Sequence, residues 1–76
     1  MRDLVALIAR GLVREPDHVR VREHEERGRT VLELSVAPAD RGRVIGREGR
    51  TVSALRALVS ALARRRGGEC ALEVLD

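Results

Sequence analysis

The sequence holds no phenylalanine, tyrosine or tryptophan. No base can stack on such a ring, which excludes the aromatic platforms of RNA-recognition-motif and cold-shock readers. It holds no lysine either, and all 15 of its basic side chains are arginine. Guanidinium forks suit phosphate and carboxylate groups better than ammonium does. Cysteine occurs once, at Cys70, which excludes an intramolecular disulfide and a cysteine-based metal cluster. A reducing cytoplasm suits that usage. Long apolar runs are missing as well. The opening MRDLVALIARGLVRE is interrupted by Arg10 and lacks a signal-peptide core. Nothing approaches the roughly 20 apolar residues of a membrane span. The expectation is a soluble cytoplasmic protein with no membrane partner.

What is present fits one domain, 1–76. A chain of this size buries only about 60% of its unfolded surface, so its core is thin. The hydrophobic share of 43% is enough to build one. Twelve acidic side chains leave a net charge of only +3. The protein is no polycation, and only local clustering gives its charge a role.

Periodicity predicts the elements. Residues Asp3 to Val13 read as a helix with Leu4, Val5, Ile8 and Leu12 on one face. Pro16 ends it. Residues His18 to Glu25 alternate as a strand, with Val19 and Val21 inward; EERGR then turns the chain, with Gly28 at positive φ. Residues Thr30 to Ala37 alternate again, with Leu32, Leu34 and Val36 inward, and complete a hairpin. Pro38 closes the strand, and Asp40 reads as the cap of a short helix over Arg41 to Ile45. Gly46 to Gly49 interrupts. A long helix follows over Arg50 to Arg66, with Val52, Leu55, Leu58, Val59 and Leu62 as its apolar stripe. Gly67 and Gly68 stop it, and Glu69 to Leu75 reads as a last strand with Cys70, Leu72 and Val74 inward. The order α-β-β-α-α-β implies a two-layer α+β domain, a three-stranded sheet packed against helices.

No catalytic constellation stands out, and no cofactor is expected. Thr30, Ser35, Thr51, Ser53 and Ser60 lack a base at a readable spacing, and the carboxylates are scattered. His18 and His24 fall on one predicted strand without a cysteine partner, a poor basis for a metal site. The segment VIGREGRTVSALRALV is more informative. Seven glycines give roughly 0.6 Gly-x-x-Gly pairs by chance, so the spacing alone decides little. Its placement decides more, because Gly46 and Gly49 lie between two helices and open the longer one. A helix N-terminus offers unpaired N–H groups and a partial positive charge, and hence a place for an anion. Glycine leaves room for a sugar-phosphate chain, and Arg47 adds a charged donor. Glu48 opposes an anion, so it is expected to point away.

That segment resembles the core of a KH domain, in which helix, Gly-x-x-Gly loop and helix clamp single-stranded nucleic acid. The family pattern Ile-Gly-basic-x-Gly corresponds to Ile45-Gly46-Arg47-Glu48-Gly49. The element order is similar to the bacterial, type II KH arrangement, and the whole chain resembles small stand-alone bacterial KH proteins of the KhpA type. The resemblance implies a non-enzymatic protein that binds single-stranded RNA, with a role in RNA metabolism, post-transcriptional regulation or RNA chaperoning. It implies a partner as well, a second copy or a larger KH-containing protein. Gly46, Arg47, Glu48 and Gly49 would face phosphates, with Arg50 beside them. Val44, Ile45 and Val52 would form an aliphatic groove for bases, completed by Leu34 or Val36. Glu48 departs from the pattern by placing an acid at the second variable position. A module that binds proteins, with weak or lost RNA binding, is the alternative. Arg64, Arg65 and Arg66 fit a helix C-terminus as a solvated cluster, with a direct RNA role as the less favoured alternative.

Overall fold

A computed structural model describes residues 1–75. Helix α1 spans Arg2–Leu12, with Asp3 in its first turn and Arg10 in its last, both matched to the helix dipole. Its buried residues are Val5, Ala6 and Ala9. The predicted stripe is therefore rotated: Leu4, Ile8 and Leu12 are only half-buried, and Leu7 is exposed. Alanines on the inward face let a helix lie close to a sheet, and the larger aliphatics then flank the contact.

Strand β1 spans Arg20–Glu26 and β2 spans Arg29–Ser35, paired antiparallel from Arg20↔Ser35 to Glu26↔Arg29. The predicted start of β1 at His18 is displaced. Pro16 to His18 form a single 3-10 turn, and the Val19 N–H donates to the Pro16 carbonyl at 3.1 Å. His18 and His24 thus sit on different elements. A two-residue turn joins the strands, with Arg27 at φ 54° and Gly28 at φ 81°. Positive φ at both central positions matches the twist of a hairpin.

Strand β3, Cys70–Val74, pairs parallel to β2, from Thr30↔Cys70 to Leu34↔Val74. The sheet order β1-β2-β3 puts β2 at the centre and leaves β3 as an edge. Leu32 and Leu34 of β2 are fully buried and pack with Val5, Val19, Val44, Val59 and Leu72. The helices cover that face of the sheet, which gives the expected two-layer α+β domain.

Helix α2 spans Arg41–Ile45, as the sequence predicts. Asp40 does not cap it with its side chain. The carboxylate is 2% exposed and accepts instead from the backbone N–H groups of Arg14 and Glu15, at 3.1 and 3.0 Å. Two otherwise orphaned donors after α1 outcompete the local cap, because a buried carboxylate needs donors to offset its desolvation. Helix α3 spans Arg50–Arg65 and buries Val52, Leu55, Val59 and Ala63. Leu58 lies outside this face and is 41% exposed. The Gly67 N–H donates to the Arg64 carbonyl and the Gly68 N–H to that of Ala63, each at 3.0 Å. With Gly67 at φ 80° this is a Schellman ending.

Candidate nucleic-acid interface

The loop between α2 and α3 is built by three residues at positive φ. Gly46 ends α2 at φ 78°, its N–H donating to the Gly42 carbonyl at 2.9 Å. Arg47 to Gly49 form one 3-10 turn, with Glu48 at φ 56° and Gly49 at φ 74°. The Gly49 N–H donates back to the Gly46 carbonyl at 3.1 Å. The two glycines are required for different reasons. A Cβ on Gly46 would collide with the Thr51 side-chain oxygen and lie 2.8 Å from the Thr51 nitrogen. A Cβ on Gly49 would meet nothing within 4 Å, so only its backbone conformation asks for glycine. The sequence reading weighed Thr51 only as a hydroxyl without a base, and the one signal for its packing against Gly46 was its place two residues beyond the second glycine.

Arg47 and Glu48 are exposed on this loop, and no ion-pair partner of Arg47 is present among the described residues. The Glu48 carboxylate lies 3.6 Å from the Arg50 guanidinium, both groups largely in water. Such a contact is weak and screened, and leaves both groups free to rearrange. No side chain caps the start of α3, since its N-cap is Gly49. The Arg50 N–H is taken by the Arg47 carbonyl, and the other N–H groups of the first turn have no side-chain cap beside Arg47 and Arg50.

The aliphatic residues expected around the loop are placed at different depths. Ile45 is half-buried and presents surface next to Gly46. Val44 is fully buried and Val52 is 5% exposed. These two anchor the helices that carry the loop and offer a ligand almost no surface. Leu34 is likewise fully buried, while Val36 is half-buried. Gly46, Arg47, Glu48, Gly49 and Arg50 are brought together on one outer surface.

Two grooves flank α3. One is largely apolar, about 420 Å³, lined by Ile8 and Leu12 of α1 and by Arg50, Thr51, Ala54, Leu55 and Leu58 of α3. The other runs between α3 and the open edge of β3. Arg56 spans it, its Nε donating to the Leu72 carbonyl at 3.1 Å. Cys70 is buried at its far end. Burial, and then the Glu23 carboxylate, push the Cys70 thiol above its ordinary range; the N-terminal amine pulls weakly the other way. The thiol is therefore kept protonated and unreactive.

The profile of the family described as KhpA/KhpB, KH domain, matches residues 2–74. The chain is 46% identical to the RNA-binding protein KhpA of Halalkalibacterium halodurans over the full length of both. It is 43% identical to the RNA-binding protein KhpA of Aquifex aeolicus, covering all of this chain and 96% of that one. Identity to the RNA-binding protein KhpA of Thermotoga maritima is 45% over 62 residues, 82% of this chain and 83% of the relative.

Proposed function

The chain belongs to the KhpA/KhpB family of KH domains, and from that premise we propose that it is a non-enzymatic protein that binds single-stranded RNA. The loop between α2 and α3 is the clamp. The observation that carries this reading is the exposed left-handed turn at the uncapped start of α3, with Arg47 and Arg50 on either side. Phosphates sit against Gly46 and Gly49, held by Arg47, Arg50 and the free N–H groups of α3. Ile45 supplies apolar contact for a base, with Val44 and Val52 holding it from beneath. Backbone contacts dominate affinity, over about four nucleotides. Relatives that carry the name RNA-binding protein support this assignment.

So short a footprint needs a second domain for useful affinity. The apolar groove with Leu58 exposed at its rim supports association with a second copy or with a larger KH-containing protein. Among the described residues no helix is long and apolar enough to cross a membrane. A cytoplasmic role in RNA metabolism or post-transcriptional regulation fits these features.

The test is fluorescence anisotropy with a mixed-sequence single-stranded RNA across a salt series. Wild type is compared with Arg47→Asp/Glu48→Asp, which keeps both glycines. Salt-sensitive binding by wild type and its loss in the folded variant support the loop as the clamp. Equal binding by both proteins rejects it.

A further inference from the structure

The first turn of α3 carries three side chains with different fates. Val52 points into the core at 5% exposure and anchors the turn. Arg50 stands in water and pairs loosely with Glu48. Thr51 lies between them, half-buried, and its hydroxyl makes no hydrogen bond among the described residues. A half-buried hydroxyl without a partner adds nothing to the fold, and valine would fill nearly the same shape with apolar surface. The oxygen therefore needs another reason, and its place supplies one. A Cβ built on Gly46 would meet the Thr51 oxygen first, then the Thr51 Cβ at 2.6 Å and the Thr51 nitrogen at 2.8 Å. The hydrogen that glycine carries in that direction points at the oxygen, a weak C–H···O contact. Oxygen is smaller than a methyl group, so the fit has no room for the larger atom. Threonine is branched at Cβ and restricted on a helix, which keeps the oxygen in place.

Gly46 is where the chain leaves α2, at φ 78° and ψ 169°. That region is open almost to glycine alone, and glycine leaves it as easily as it enters, so its neighbours must hold it there. The Gly46 N–H donates to the Gly42 carbonyl at 2.9 Å, and the Gly46 carbonyl accepts from Gly49 at 3.1 Å. Neither bond touches the Cα between them, which rests on Thr51. Arg47 follows directly. With no ion-pair partner among the described residues, its side chain goes where its backbone sends it.

We propose that Thr51 is a positioning residue of the clamp: its side-chain oxygen is the spacer that seats Gly46 and thereby aims Arg47 at the RNA backbone. The inference rests on the RNA-binding reading of the loop. Thr51 lines the groove shared with α1 and acts through Gly46 rather than on the strand.

The experiment is fluorescence anisotropy with one mixed-sequence single-stranded RNA across a salt series, under conditions where urea midpoints and circular dichroism show every protein folded. Thr51→Ser keeps the oxygen and should bind within about two-fold of wild type. Thr51→Val puts a methyl group in the oxygen's place and should bind about five- to ten-fold more weakly, as for one impaired charge-assisted contact. Its plot of log affinity against log salt should be less steep by roughly 0.7, one phosphate contact on a single strand. Thr51→Ala removes the spacer without adding bulk and should lose about three-fold, which keeps the test open if valine unfolds the chain. A loss that runs through Arg47 is not repeated once Arg47 is gone, so Arg47→Gln/Thr51→Val should match Arg47→Gln within about two-fold.

Wild-type affinity in the folded Thr51→Val protein, or equal losses in Thr51→Ser and Thr51→Val, overturns the oxygen as spacer. A loss in Thr51→Val with an unchanged salt slope, or one that persists in full on top of Arg47→Gln, overturns the proposal and makes the hydroxyl a direct RNA ligand. Failure of wild type to bind RNA, or wild-type binding by Arg47→Gln, overturns it together with the reading of the loop.

Discussion

Two turns in this molecule share a pair of adjacent residues at positive φ. In the hairpin, Arg27 and Gly28 take φ 54° and 81°; in the helix joint, Glu48 and Gly49 take φ 56° and 74°. Each is a charged residue followed by glycine, both left-handed, both on the surface. The hairpin turn is closed by its own ladder, with Glu26 paired to Arg29 across it. The helix joint differs in what lies on either side. Gly46 precedes it, pressed against Thr51, and an uncapped helix start follows it. The hairpin turn sits inside a strand ladder, while the joint opens a helix whose first turn no side chain caps. A left-handed pair is therefore no mark of a binding site by itself, and what distinguishes the joint is the uncapped helix start beside it.

The largest effect should come from the residue that the hairpin has no counterpart for. Gly46→Ala forces a collision with Thr51 on top of a left-handed alanine, and should cost on the order of 3 kcal/mol or more in urea unfolding. Gly28→Ala meets open space and should cost only about 1–2 kcal/mol. Equal losses at the two positions would mean that the joint is no tighter than the hairpin.

Charge reversal comes next. Arg27→Asp in the hairpin should leave RNA affinity within about two-fold of wild type, whereas Arg47→Asp should lower it at least about ten-fold at low salt. Comparable losses would show that overall charge, not the joint, holds the strand. Glycine at the strained charged position gives a smaller and more telling contrast. Arg27→Gly and Glu48→Gly should each raise stability by up to about 1 kcal/mol, because both relieve a left-handed side chain. Only Glu48→Gly should also tighten RNA, since it removes an acid from the clamp. The smallest effect belongs to the hairpin end of the sheet, where Cys70 pairs with Thr30. With no tyrosine or lysine, little else titrates in the alkaline range. The folded thiol is held above its ordinary range, so its contribution is complete below about pH 8.5 and is lost as pH rises beyond that. Wild type should therefore lose slightly more stability than Cys70→Ala between pH 8 and 10, read from urea midpoints.

Much of this architecture was legible in the chain. Asp40 and Gly46 bracket α2 at its observed bounds, and Gly67 and Gly68 mark the end of α3 within a residue. The left-handed loop could be located because glycine spacing and helix periodicity meet there. What was hidden depends on distance along the chain. Asp40 finds its donors 26 and 25 residues away, which no local pattern encodes. The inward face of α1 was misjudged because leucine outweighs alanine in any hydrophobic tally, while close packing on the sheet favours the smaller residue. Val44 was read as groove-lining and lies at zero exposure, since a single apolar pair cannot reveal which member turns inward. The groove along β3 was invisible because Arg29 and Arg64 come to line it only once the sheet has formed.

The Asp40 carboxylate has a kinetic consequence. It ties the link between α1 and β1 to the threshold of α2, so the amide protons of Arg14 and Glu15 are sheltered although they belong to no helix or strand. Their exchange with deuterium requires this link and the threshold of α2 to part. Two amides far from the helix joint in sequence thus become timekeepers for the threshold of α2, slow while it is seated and fast in any excursion that parts it from the link.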